Sequence, residues 1–216
     1  MRYSIPVRTS GFLMFLFLIL TGAFALEGWG AEQNQTPAQN ESMHYPFRKG
    51  QWNAGFQIGA GQGFEILGSR EEHDLALAYF HYGKMLTNPH GSGWYAGGLE
   101  IRGELFAGLQ YDPDCRYVTG LTPIFRYNFT GGDRLIPFLE GGAGVTLTNI
   151  GEPDLGSTFE FSPQGGTGFS YFLRDSLALT ASFRFIHLSN AGMELPNTGV
   201  NTFMLLFGLS WFPRSD

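Results

Sequence analysis

From Trp52 onward the chain alternates apolar with polar or small residues at a period of two. The pattern returns in eight segments separated by turn-forming residues. A period of two places successive side chains on opposite faces of a strand, so each segment reads as a strand with one apolar and one polar face. The segments cover about 51–64, 73–86, 94–109, 116–129, 134–148, 157–172, 176–189 and 200–212. In the third, Leu99, Ile101 and Leu105 fall on one face and Glu100, Arg102 and Glu104 on the other. Arg126, Glu140 and Arg184 occupy the same polar phase on the fourth, fifth and seventh strands. A soluble sandwich or lipocalin-like barrel would have an apolar interior. A charged face recurring on several strands requires either solvent or a polar lumen. The expected fold is therefore all-β: an eight-stranded antiparallel transmembrane barrel of the outer-membrane type. Eight strands leave an interior just wide enough for side chains to fill, so the Glu and Arg residues should pair inside a plugged barrel without a pore.

Composition decides between this and the rival explanation. The sequence contains 31 Gly and 21 Phe, and only 15% of its residues are charged. Glycine-rich disordered chains lack aromatics, whereas a barrel in lipid needs them outside and small or polar residues within.

Residues 1–25 read as a secretory signal peptide, with Arg2 and Arg8 before the apolar run 12–20 and a small-x-small site at Ala23-Phe24-Ala25. Ala31 offers an alternative cleavage point. Residues 26–50 read as a flexible periplasmic leader, and 51–216 as the barrel domain. Removing Arg2 and Arg8 from 13 basic residues leaves 11 against 19 acidic ones, a net charge of −8. That balance argues against nucleic acid as a partner. Cys115 is alone and reads as an incidental thiol. His44, His73, His81, His90 and His187 are scattered without metal-site spacing, so neither a metal nor a cofactor is expected.

Connection lengths and aromatics orient the barrel. Connections 4–5 and 6–7 are short, and 1–2, 3–4, 5–6 and 7–8 are longer or richer in Asp, Pro and Gly. Connection 2–3 breaks the rule. With a periplasmic N-terminus the odd connections face outward, as expected of outer-membrane barrels. Trp52, Tyr82, Trp94, Tyr95, Tyr127, Phe129, Tyr171, Phe172, Trp211 and Phe212 then gather at the periplasmic rim as an aromatic girdle.

The stretch 183–201 carries the candidate chemistry. Arg184 takes the lumen phase; Phe183, Phe185, His187 and Ser189 share the outer one. A histidine and a serine on one face are the minimum for a hydroxyl nucleophile and its base. Asn201 shares the outward phase of Phe203 and Leu205, and can approach His187 from the neighbouring strand. The bland alternative is a rim turn on an inactive barrel.

His187-x-Ser189-Asn190-Ala191-Gly192, followed by Pro196-Asn197-x-Gly199, resembles the motif of the lipid A 3-O-deacylase (PagL-type) family. The likeness implies an outer-membrane serine esterase acting on the 3-O-linked acyl chain of lipid A, the lipid of lipopolysaccharide. Ser189 would be the nucleophile and His187 the base. The backbone amides of Asn190, Ala191 and Gly192, with the Asn190 side chain, would hold the oxyanion. The family's third member is an acid on the last strand, and the matching position here is Asn201. An amide oxygen can still orient an imidazole but cannot balance its charge fully, so a lower rate is expected. Glu194 is a second candidate for the acid, at a spacing that does not match. Met193 and Leu195 are candidates for lining an acyl groove. A phospholipase using the same dyad and a non-enzymatic barrel for adhesion or membrane integrity are the competing functions.

Overall fold

The structure, a computed structural model, describes residues 46–213. The signal-peptide and most of the leader expectations lie outside the described residues. Eight strands form in sequence order: β1 (Trp52–Gly63), β2 (Asp74–Met85), β3 (Gly97–Asp112), β4 (Arg116–Phe129), β5 (Leu135–Thr148), β6 (Phe159–Arg174), β7 (Leu177–Leu188) and β8 (Val200–Trp211). Each pairs antiparallel with its neighbours, and β1 pairs with β8 to close the barrel. Closure removes the free sheet edges, as a strand structure must do in lipid.

Alternation holds around the barrel. Phe56, Ile58, Phe80, Leu105, Leu121, Phe125, Leu139, Leu147, Phe169, Leu179 and Phe207 face outward and stand exposed. In water such a continuous apolar surface would drive association; in a bilayer it is the lipid contact.

The lumen is filled in three layers. At its middle sit three buried arginines and three buried glutamates. Arg184 reaches Glu104 and Glu140 at 2.6 Å each. Arg126 meets Glu140 at 2.5 Å, and Arg102 meets Glu100 at 2.5 Å. Asn53 and Asn128 donate to Glu100 at 2.8 and 2.9 Å. Removing one member of such a buried set typically costs about 3–5 kcal/mol, because a charge is left unpaired. This is structural work, as expected of the polar lumen face.

Apolar plugs close both ends. Leu75, Tyr79, Phe106, Leu155, Ile186, Leu188, Val200 and Met204 belong to the upper one, beneath the long loops. Phe47, Met85, Ile136, Phe172, Ala178 and Phe212 form the lower one. Two of the expected girdle residues thus point inward. Phe172 and Phe212 face each other with ring centroids 5.1 Å apart, and each lies 5.9 Å from Phe47. The reason is parity, which turns these two residues to the lumen. Trp52, stacked on Tyr82 at 5.7 Å and edge-on to Trp211 at 5.3 Å, keeps the girdle position. Trp94 and Tyr95 lie in a short 3-10 turn before β3 rather than in the strand.

The 3–4 connection is also shorter than its composition suggests. β3 runs on to Asp112, paired with Asp74 of β2, and Gln110 pairs with Arg116 of β4. Only Pro113, Asp114 and Cys115 remain to turn the chain, and Cys115 is exposed.

Candidate active site

β7 delivers the candidate residues by its alternation. Arg184, Ile186, Leu188 and Asn190 are buried, while Phe183, Phe185, His187 and Ser189 are half-buried on the outer face. His187 and Ser189 therefore share the outer face, outside the lumen, at the upper end. Ser189 follows the last residue of β7 and is held to β6 by a bridge. Its N–H donates to the Phe161 carbonyl at 3.1 Å, and its carbonyl accepts from the Phe161 N–H at 2.8 Å.

Asn201 stands directly opposite His187 in the β7–β8 register. Its Oδ1 lies 2.7 Å from His187 Nδ1, and its Nδ2 donates to the Ile66 carbonyl at 2.7 Å. The second contact fixes the first. A carbonyl must face the amide nitrogen, so the amide oxygen faces the imidazole and Nδ1 carries the proton. Nε2 is then the basic nitrogen. Among the described residues, neither Nε2 nor the Ser189 hydroxyl has a hydrogen-bond partner, so both remain available for a substrate. Glu194 is exposed and meets Asn190 through its backbone carbonyl, at 3.0 Å.

Gly199 is the seat of the imidazole. Its φ is +84°, and a Cβ there would fall 2.6 Å from His187 Cε1 and 3.2 Å from the Leu188 carbonyl oxygen. A side chain at this position would occupy the ring's own space.

The turn after Ser189 is tightly determined. The Asn190 side chain is fully buried; its Oδ1 accepts from the Gly192 N–H at 3.0 Å. The Asn190 N–H donates to Asn197 Oδ1 at 2.9 Å. Two of the three amides expected for an oxyanion are therefore occupied within the loop, as is the Asn190 amide group. The Ala191 N–H has no partner among the described residues. Ala191 is held at φ +56°, an uncommon region for a residue with a Cβ, and such strain clusters at functional sites.

One residue ties the upper loops to this site. Asp154, on the β5–β6 loop, is fully buried. Its carboxylate accepts from the N–H groups of Arg70 (2.7 Å) and Glu71 (3.0 Å), from His73 Nε2 (2.9 Å) and from the Thr198 hydroxyl. Its carbonyl accepts from the Thr198 and Gly199 N–H groups at 3.0 and 3.2 Å. His73 continues to Gln110 Oε1 at 2.7 Å. Three loops converge on Asp154, and two of them carry Ile66 and Gly199.

Burial by itself would raise the Asp154 pKa. The hydrogen bonds from Thr198, His73, Arg70 and Glu71 outweigh it and hold the carboxyl below the ordinary aspartate range. A folded pKa below the unfolded one gives stability that is present above the unfolded value of about 3.9 and lost as pH falls through the folded one. Protection of the Arg70, Glu71, Thr198 and Gly199 amides, taken against their intrinsic exchange rate at each pH, should accordingly fall as the solution is acidified below about pH 4. In Asp154→Asn it should be low already at neutral pH. Protection that is equal in both proteins and unchanged by acid would contradict this role.

Sequence reasoning placed His187, Ser189 and Asn201 together. It named Asn197 and Gly199 within the motif without giving them a role, and it missed Ile66 and Asp154. Glycine in a Pro-Asn-Thr-Gly turn signals only the turn, and Asp154 looks like any loop acid.

The chain is similar to known proteins in family profile, in sequence and in fold. The sequence profile of the family described as lipid A 3-O-deacylase (PagL) matches residues 79–210. The lipid A deacylase PagL of Pseudomonas aeruginosa is 34% identical over 95 residues, covering 43% of this chain and 52% of that protein. The match thus spans about half the length of that relative. The lipid A deacylase PagL of Bordetella bronchiseptica is 29% identical over 129 residues, 56% of this chain and 67% of that one. Among solved structures, the outer-membrane enzyme PagL superposes with a TM-score of 0.54 at 21% identity, covering 72% of this chain and 97% of its own. Neisserial surface protein A does so at 0.55 and 14% identity, covering 74% and 96%. At these identities the two superpositions speak for the barrel fold alone.

Proposed function

The chain belongs to the lipid A 3-O-deacylase (PagL) family of the bacterial outer membrane, and from that premise we propose that it is an esterase that removes the 3-O-linked acyl chain of lipid A through Ser189 and His187. The observation that carries this reading is the pairing of His187 with Asn201 at 2.7 Å on the outer face of the barrel, in phase with Ser189. A lipid-facing site suits a substrate that lies in the leaflet, since the acyl chain can stay in hydrocarbon while its ester meets the rim. A polar pair placed there without use would be costly.

Nε2 of His187 takes the proton of the Ser189 hydroxyl as the oxygen attacks the acyl carbonyl. The Ala191 N–H supports the oxyanion. When the intermediate collapses, His187 returns the proton to the departing glucosamine oxygen, leaving the acyl group on Ser189. A water, deprotonated by the same imidazole, then releases the fatty acid and restores the serine. Asn201 holds the ring in the required tautomer throughout. It stabilises the imidazolium less than a carboxylate would, which sets a slower rate than an acid at this position. The chain's own groups suffice for every step, without a cofactor.

The test is mass spectrometry of lipid A incubated in detergent micelles with the purified barrel. The expected result is loss of one 3-hydroxyacyl chain with release of the free 3-hydroxy fatty acid. Turnover of phospholipid instead would identify a phospholipase using the same dyad. No change in either lipid would leave a non-enzymatic barrel.

A further inference from the structure

Asn201 is in the lipid-facing phase of β8, yet it is only 1% exposed. The β1–β2 loop covers it. Phe64 donates its N–H to the Asn201 carbonyl at 2.9 Å, and the Ile66 carbonyl then accepts from the Asn201 amide at 2.7 Å. The chain has folded out over the barrel wall beside His187. Ile66 N–H bonds back to the Phe64 carbonyl at 2.8 Å, and Ser69 N–H to the Ile66 carbonyl at 3.2 Å. Arg70 and Glu71 fasten the far end to Asp154. The flap is thus fixed at both ends.

At its tip, Leu67 is held at φ +55° with 73% of its surface exposed. Folding supplies no reason for a large apolar side chain to be both strained and presented outward. Such residues cluster at ligand clamps. Below the flap, the Phe64 ring packs edge-on against Phe203 at 5.3 Å, and Phe203 stacks on Phe183 at 5.3 Å. This aromatic wall runs from the flap down the outer face beneath His187, the direction in which an acyl chain leaves an ester at the rim.

We propose that the Ile66–Leu67 flap is the specificity-determining wall of the acyl-chain site, with Leu67 contacting the chain and the Ile66 carbonyl positioning Asn201. The proposal rests on the deacylase reading and adds to it the element that recognises the chain. One loop then serves both purposes: its backbone aims the histidine and its side chain grips the substrate.

Leu67→Asn tests it. Asparagine accepts a positive φ more readily than leucine, so the flap keeps its shape while losing the apolar contact. Against lipid A in detergent micelles, the apparent KM should rise about tenfold with kcat within about twofold, the loss expected from one partly buried leucine contact. Cleavage of p-nitrophenyl butyrate, whose four-carbon chain gives the wall little to hold, should lose far less than cleavage of lipid A, and Leu67→Met should restore the lipid A KM. An unaltered KM for lipid A, or an equal loss on both esters, would overturn the proposal. If the wild-type barrel cleaves no lipid A at all, the deacylase reading fails separately. The flap is then judged by binding of lipid A to Ser189→Ala, which should weaken about tenfold with Leu67→Asn added, and equal binding would overturn it.

Discussion

Ser189→Ala and His187→Ala should each lower fatty-acid release from lipid A by about 10³- to 10⁶-fold, with the barrel intact. Neither residue holds the fold together. Both side chains sit outside the lumen, and the Ser189 bridge to Phe161 runs through backbone atoms that alanine retains. The loss should therefore appear in kcat, while heat-modifiable migration on gels stays that of the native barrel. Asn201→Ala should cost less, about 10²-fold, because the imidazole loses its orienting partner while the nucleophile and the ring both remain. The three act as one unit, so adding Asn201→Ala to Ser189→Ala should produce little further loss. Additive losses would show that Asn201 contributes by another route.

Gly199→Ala should cost as much as Asn201→Ala, about 10²-fold in kcat, although residue 199 has no reactive group. Two costs meet there. The φ of +84° strains any residue with a Cβ, by about 1–2 kcal/mol. The added methyl would also stand 2.6 Å from His187 Cε1, so the ring must swing away from Asn201. Gly50→Ala separates the two. Gly50 has φ +89° with nothing within 4 Å of the added atom, so it carries the strain without the collision. Gly50→Ala should lower stability modestly and leave ester release unchanged. Equal activity losses in both variants would mean that backbone strain, and not the seat of the imidazole, governs residue 199.

How far the sequence carries this account depends on the range of each interaction. Strand parity is local and was legible: the inward turn of Arg184 and the outward turn of His187 and Ser189 follow from a period of two. So does the meeting of His187 with Asn201, since an antiparallel hairpin brings opposite residues together. The inward turn of Phe172 and Phe212 obeys the same parity, but composition drew them into the girdle. Phe47, in a stretch without periodicity, gave no sign that it closes the lower lumen. The contacts that finish the site are long-range. Asp154 reaches back 84 residues to Arg70 and forward 44 to Thr198, and Asn201 reaches Ile66 across 135. No spacing rule spans loops of arbitrary length, so Asp154 and Ile66 read as ordinary loop residues until the barrel closes and brings the loops to one end.

Activation of the Ser189 hydroxyl by the outward-facing imidazole can be read from the intact mass of the detergent-solubilised barrel after exposure to a serine-reactive organophosphonate ester. The expected result is one adduct, mapped to Ser189, that forms far more slowly in His187→Ala and more slowly in Asn201→Ala. No adduct on the folded wild-type barrel, or adduct formation at the same rate with and without His187, would contradict it.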